Sequence, residues 1–418
     1  MDYFNYRGAE LYAEELKVAD LALKYGTPLY IYSKATLERH VRAFEEALKG
    51  RPHLVCYAVK ANSNLAILEL MASMGVGFDV VSAGELSRVL RAGGRASDCV
   101  YSGVGKRRDE IAFALKAGIR CLNLESEAEL EAVSAVAREL NVVAPVAVRV
   151  NPDVDARTHP SISTGLKQNK FGIAFERAYA VYERIAADPH LKVSGIDCHI
   201  GSQMTSGAPI VEATQKLLDL YGRLRTLGIS IDHIDIGGGL GVTYGDETPP
   251  SPYEYMQAVL SKIGDPELAV FVEPGRAMVA NAGILVTETL YLKDQGDKRF
   301  AIVDAGMNDL IRPALYNSWM NIIEVQKSAD KSEKRLYDVV GPVCESDDFL
   351  GRERRLAVKE GDFLAVRGAG AYGMAMASTY NSRPLCAEIM VDGDRVHVIR
   401  DRQSLEDLWR GEHLLNGE

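Results

Sequence analysis

Eight short, β-branched apolar runs, each followed by an amphipathic stretch, recur along the chain: Val55–Lys60, Phe78–Ser82, Cys99–Ser102, Arg120–Glu125, Val146–Val150, Val193–His199, Ile231–Ile236 and Ala269–Glu273. The runs are continuously apolar rather than alternating, as strands covered on both faces must be. Between them, apolar residues return at helical spacing. Leu37, Val41, Phe44 and Leu48 share one face behind Ser33, a residue suited to N-capping. Leu65-Leu68-Met71-Ala72, Leu86-Val89-Leu90, Ile111-Ala114-Leu115, Leu130-Val133-Val136 and Val211-Thr214-Leu217-Leu218-Tyr221 follow the same period. This alternation predicts an α/β chain folded as a (β/α)8 TIM barrel, although an open doubly wound sheet could hold as many units. The barrel is preferred because residues suited to chemistry fall at the ends of strands one, six, seven and eight, where barrel enzymes build their sites.

After Glu273 the texture changes. Gly283–Lys293, Phe300–Asp304, Tyr337–Val340, Asp362–Val366, Ala387–Val391 and Arg395–Arg400 read as strands separated by turn residues, with a helical exception near Pro313–Trp319. These segments predict a mostly antiparallel C-terminal β domain. With 418 residues, two domains are expected: a barrel over 28–273 and a β domain over 274–418, with residues 1–27 packing alongside. A net charge of −10, with no basic stripe, argues against a nucleic-acid partner. No apolar run approaches the roughly 20 residues of a membrane helix, and Met1–Tyr6 is neither basic nor apolar enough for a secretory signal. The six cysteines form no C-x-x-C pair and no metal-ligand spacing, so a reduced cytoplasmic protein without a metal site is expected.

Lys60 closes the run Leu54–Val59, and a lysine at the end of a buried strand must reach water or hold a partner. Taken alone it would be a rim lysine. His199 taken alone would be a satisfied core histidine, Glu273 a rim acid, and Gly237-Gly238-Gly239 a tight turn. Their shared placement at strand ends makes the stronger case. An amine, a flat ring, glycines whose backbone N–H groups can approach an anion, and a carboxylate are the parts of a pyridoxal phosphate site. Arg276 adds a fork for a phosphate or a substrate carboxylate. The glycine run is not G-x-G-x-x-G, so a dinucleotide fold is not indicated.

Several separated motifs carry a resemblance: Tyr57-Ala58-Val59-Lys60-Ala61-Asn62, His199-Ile200-Gly201-Ser202-Gln203, Gly237-Gly238-Gly239, Glu273-Pro274-Gly275-Arg276 and Gly341-Pro342-Val343-Cys344-Glu345-Ser346. In order and over nearly the whole chain, they resemble the pyridoxal-phosphate decarboxylases of the alanine-racemase-like barrel, and within these the meso-diaminopimelate decarboxylases. Asn151-Pro152-Asp153, His159-Pro160 and Thr164–Gly172 point the same way. The resemblance implies pyridoxal 5′-phosphate as cofactor, and decarboxylation of meso-2,6-diaminopimelate to L-lysine, the last step of lysine biosynthesis. It implies that Lys60 is the Schiff-base lysine and that His199 stacks on the cofactor ring. Ser202, Gly239, Gly275 and Arg276 would hold the phosphate, and Glu273 the pyridine nitrogen. Arg276, Arg312 and Tyr316 would bind substrate, Tyr372 would touch cofactor and substrate, Cys344 would donate the proton, and Glu345 would meet the distal amine. It further implies a homodimer with shared sites, in which Cys344 and Glu345 serve the partner subunit.

Rival activities differ at identifiable places. A racemase would favour a weakly polarised pyridine nitrogen, which Glu273 opposes. A decarboxylase of ornithine or another basic amino acid has no use for arginines facing a distal carboxylate, and leaving them unpaired costs affinity. An inactive relative would have no need of both Lys60 and Cys344. The segment 154–171 is long for a barrel loop and is expected to act as a lid.

Overall fold

The computed structural model describes residues 2–156, 164–165, 169–328 and 334–415. The expected lid and the His159-Pro160 motif fall largely or wholly outside these residues. Two compact units are present, one of residues 38–243 and 247–278, the other of residues 1–37, 244–246 and 279–418. The sequence expectation placed the corresponding boundaries at residues 28 and 274.

The first unit is the closed barrel. Its strands are His53–Ala58, Gly77–Val80, Cys99–Tyr101, Cys121–Leu124, Ala144–Asn151, Leu191–Asp197, His233–Asp235 and Ala269–Val272. Each pairs in parallel with the next, and Val270–Val272 of strand eight pairs with His53–Val55 of strand one, which closes the ring. Two of the barrel helices start at serine caps. Ser82 and Ser126 accept the backbone N–H groups of Glu85 and Glu129, capping Ala83–Arg91 and Glu127–Leu140.

The barrel interior changes character along its axis. Cys56, Val100, Cys121 and Ala147 pack around Phe271 in an apolar layer. His233 lies flat on Phe271, ring centroids 4.0 Å apart, and fits because Gly195 has no side chain: a Cβ there would lie 2.3 Å from the imidazole. Towards the C-terminal strand ends the interior becomes charged. Asp79, Arg149, Asp197 and Asp235 are all buried there.

The second unit is built on a nine-stranded, mostly antiparallel sheet. Leu29–Ser33 runs through its middle, antiparallel to Gly283–Gln295 and parallel to Ala387–Asp392, with every one of its side chains buried. Ser33 caps the helix Lys34–Leu48, its Oγ accepting the Thr36 N–H at 3.1 Å. The strands Ile322–Glu324 and Phe349–Leu356 were not expected from the sequence. The second of these carries Arg352-Glu353-Arg354-Arg355, and register shifts against Arg335–Val340 break its alternation. Among the described residues no helix is long and apolar enough to cross a membrane.

Candidate active site

Seven of the sequence-predicted residues come together at the C-terminal ends of the barrel strands. Lys60 lies just past strand one, in the single turn Val59–Ala61. Its ammonium is ion-paired with the fully buried Asp79 of strand two. A lysine with a carboxylate in reach is poised to exchange a proton at its amine. Asp79 is a residue the sequence reading missed, although a lone acid within the apolar run Phe78–Ser82 was the available signal.

His199 and Ser202 follow strand six, and the glycines follow strand seven. The Gly238 N–H donates to His199 Nδ1 at 3.1 Å, which fixes the ring's orientation and places the proton of the neutral imidazole on Nε2. Burial, with Arg149 and Lys60 nearby, holds the His199 pKa well below the ordinary histidine value, so the ring is neutral. Met204 N–H donates to Gly239 O, and Gly241 N–H to Met204 O, so residues 201–204 and 237–241 run side by side. No side chain fits at this approach. A Cβ on Gly239 would lie 2.6 Å from Gly201 O, and one on Gly238 would lie 2.2 Å from Glu273 O. Arg276 opens a short helix after Gly275, and its Nη2 donates to Ser202 Oγ at 3.1 Å.

Glu273 follows strand eight and is buried, and its Oε1 has no hydrogen-bond partner among the described residues. One carboxylate oxygen from each of Asp197, Asp235 and Glu273 lies within 4.8 Å of the others. Asp235 is partly stabilised by the Gly237 N–H at 2.8 Å. Arg149 lies beside the cluster, 2.8 Å from Glu125 and 4.0 Å from Asp197. So many carboxylates cannot all ionise in a buried space. Burial, then repulsion from Asp235, Asp79 and Asp197, pushes Glu273 well above the ordinary carboxyl range, and burial with Asp235 does the same to Asp197. A buried acid in this state can hold a proton, and can share it with a neighbouring carboxylate or with a basic nitrogen.

The remaining predicted residues lie in the β unit. Arg312 and Tyr316 bound a five-residue helix opened by Pro313. Arg312 is buried, with its guanidinium 4.5 Å from the Tyr244 ring centroid and Nη1 3.1 Å from Met320 Sδ. Tyr372 is held at φ +56°, a conformation that aromatic residues seldom adopt. Cys344 is the one exposed cysteine of the six, and it shares an exposed loop with Glu345. The sequence reading did not single out Tyr380 and Asn381, which bond to this pair.

A closed parallel barrel with a lysine after its first strand and a buried, partly unsatisfied acid after its eighth defines the class of pyridoxal-dependent decarboxylases. The family model described as "Pyridoxal-dependent decarboxylase, pyridoxal binding domain" matches residues 34–280. Within that class the chain belongs to the diaminopimelate decarboxylases. It is 55% identical to the Vibrio cholerae diaminopimelate decarboxylase over 417 residues, covering 99% of this chain and all of the relative. Identity to the Haemophilus influenzae enzyme is 54% over 410 residues, 98% of this chain and 99% of the relative. The crystal structure of the Helicobacter pylori enzyme complexed with L-lysine superposes with a TM-score of 0.91 at 44% identity, covering 94% of this chain and 98% of that one.

The cofactor of this class is pyridoxal 5′-phosphate, and the barrel residues fit it. The Glu273 oxygen that lacks a partner among the described residues is an acceptor for a protonated ring nitrogen, and the adjoining Ser202 hydroxyl and Arg276 guanidinium are donors suited to a phosphate.

Proposed function

We propose that this chain decarboxylates meso-2,6-diaminopimelate, releasing carbon dioxide and L-lysine as the last step of lysine biosynthesis. The observation that carries the chemistry is Glu273, a buried carboxylate at the end of strand eight with one oxygen that lacks a partner among the described residues. Bound pyridoxal phosphate supplies an aldehyde for the substrate amine and a ring that accepts the electrons left behind when the carboxylate departs.

The protein's residues do the rest. Lys60 would hold the cofactor through its amine, with Asp79 in reach to exchange a proton at Nζ. Glu273 holds a proton at the ring nitrogen, which makes the ring a better electron acceptor; a racemase would gain from the reverse. The neutral His199 ring offers a flat face and adds no charge that would oppose that proton. Ser202, Gly239 and the backbone of Gly275 and Arg276 hold the phosphate through hydroxyl and N–H donors. Arg276, Arg312 and Tyr316 bind substrate carboxylate, and Tyr372 touches cofactor and substrate. Cys344 delivers a proton from Sγ to the substrate Cα, and Glu345 takes the distal ammonium. A substrate with both an amine and a carboxylate at its far end matches a pocket carrying both charges.

This reading includes a cytoplasmic homodimer in which Cys344 and Glu345 of each subunit act in the site of the other. The 55% identity to the Vibrio cholerae diaminopimelate decarboxylase over the full length supports the substrate assignment. The test is carbon dioxide release by cofactor-loaded protein offered meso-diaminopimelate, L-lysine, L-ornithine or L-arginine. Release from meso-diaminopimelate alone, with lysine accumulating, is expected. Release only from a basic amino acid would reject the distal pocket but keep the cofactor site. No release from any of them would reject the assignment.

A further inference from the structure

Resting on the reading that Cys344 supplies the proton and Glu345 takes the distal amine, we propose that Tyr380 and Asn381 are positioning residues for that pair. Asn381 fixes Cys344 through its backbone, and Tyr380 fixes Glu345 through its carboxylate and so sharpens the preference for a substrate with a distal amine.

The Cys344–Asp347 tip is exposed, whereas Asp348 behind it is buried. The base of the loop is secured from inside: Asp348 accepts the Val343 N–H at 2.7 Å and the Met307 N–H at 2.6 Å. Those bonds stop short of the two side chains that matter. An exposed thiol and carboxylate on a loop tip would otherwise sample several rotamers, and a proton donor must be aimed.

Two consecutive residues of a second segment meet two consecutive residues of the tip. Asn381 Oδ1 accepts the Cys344 N–H at 2.9 Å, and the Tyr380 hydroxyl donates to Glu345 Oε1. Adjacent attachments of this kind fix both the path of the tip and the direction of the carboxylate, which a single bond would leave free to pivot. The hydrogen bond to Glu345 pushes the Tyr380 pKa up, which keeps its proton available for donation.

The turn that carries them is itself over-determined. Asn381 lies at φ +55°, ψ +27° and Ser382 at φ +52°, two successive left-handed residues without a glycine. Such a turn persists only when its surroundings hold it. Here the Ser378 N–H donates to Asn308 O at 2.8 Å and Arg383 Nη2 to Asp304 O at 2.7 Å. The segment 304–308 thus carries the turn through those two carbonyls, and the base of the loop through Met307. One framework sets both partners, which is the arrangement a precisely aimed side chain requires.

The experiment compares Tyr380→Phe, Asn381→Gly and Asn381→Asp with Cys344→Ala and Glu345→Gln, all as cofactor-loaded, full-length protein. Asn381→Gly keeps the left-handed turn but removes the acceptor; Asn381→Asp restores it. Tyr380→Phe is expected to raise the KM for meso-diaminopimelate about 3- to 12-fold with kcat within about twofold, the worth of one ordinary exposed hydrogen bond. Asn381→Gly should lower kcat by roughly 10-fold with little change in KM, and Asn381→Asp should recover most of it. A second readout does not depend on turnover: the rate at which iodoacetamide alkylates Cys344, followed by mass spectrometry, should change in Asn381→Gly and return in Asn381→Asp. If Cys344→Ala and Glu345→Gln are crippled while KM, kcat and the alkylation rate stay at wild-type values in the Tyr380 and Asn381 variants, the positioning role is wrong and the roles of Cys344 and Glu345 stand. If Cys344→Ala and Glu345→Gln turn over normally, the underlying reading fails and takes the inference with it.

Discussion

Alanine at Gly238 would bring a Cβ to 2.2 Å from the carbonyl oxygen of Glu273 and 3.0 Å from its carbonyl carbon. Both atoms are main chain, and the Glu273 N–H is tied to Gly237 O at 2.8 Å, so no flexible side chain can swing aside. Overpacking a filled site costs about 1–3 kcal/mol, and a clash with fixed backbone belongs at the upper end of that range. A stiffer unfolded chain returns about 0.4–1 kcal/mol. The expected net loss is roughly 2 kcal/mol. Gly222 provides the matched control. It lies inside the helix Ala208–Thr226, and a Cβ there would meet nothing within 4 Å. Gly222→Ala should therefore stabilise by about 0.5–1 kcal/mol. Urea unfolding followed by far-ultraviolet circular dichroism measures both. Because the displaced backbone also carries the Glu273 carboxylate, cofactor titration of Gly238→Ala should show affinity weakened by about tenfold or more. A Gly238→Ala protein with its midpoint at or above the wild-type value would refute the close approach of strands seven and eight. So would a Gly222→Ala protein that lost as much.

Three further outcomes are expected. Glu273→Gln should lower kcat on the order of 100-fold or more while the visible absorbance of the lysine-bound cofactor persists, and near-normal turnover would remove Glu273 from the chemistry. Arg312→Lys keeps the charge but loses the planar fork, so the KM for meso-diaminopimelate should rise about 10- to 100-fold; an unchanged KM would take Arg312 out of substrate binding. Burial, with repulsion from Asp79, pushes Asp235 up to about 7, while the Gly237 N–H, a hydrogen bond with Glu273 and the Arg149 charge hold it down. Its folded-state pKa lies above the unfolded value of about 3.9, so the folded cofactor-free protein binds the extra proton and the associated stability is lost as pH climbs from about 4 to 7. Asp235→Asn should flatten that decline in urea midpoints, and an unchanged slope would count against the cluster.

Most of the barrel was legible because its strands are buried on both faces and cannot afford polar interruption except where chemistry is placed. Val55–Lys60 and Cys99–Ser102 each lie within two residues of the observed strand ends. The central strand Leu29–Ser33 fell inside the expected barrel region, 28–273, without being read as a strand; a short run of wholly buried residues says that it is covered, not by which sheet. Its partners come from residues 283 onward, and nothing local in the sequence points to them. Phe349–Leu356 was missed because four charged residues in succession, of which only Arg354 is buried, mask a strand whose alternation is broken by register shifts. At the site, Lys60, His199 and Glu273 could be read because they stand at strand ends beside recognisable motifs. Asp79, Arg149 and Asp235 act by facing one another across the barrel, and a linear pattern does not record that. Tyr380 and Asn381 were hidden by the same limit, since their partners lie in another loop.

The position of Leu29–Ser33 also has a consequence for synthesis. The strand that sits between Gly283–Gln295 and Ala387–Asp392 emerges from the ribosome before any barrel strand, and its neighbours emerge after the last one. The whole barrel can close while this run of buried aromatic and aliphatic side chains still waits for a partner, a long-range pairing of the kind that slows folding and invites aggregation. The β unit is accordingly not a detachable module. A fragment starting at residue 279 would lack its own central strand, and adding residues 1–37 in trans should be the minimum needed to restore it.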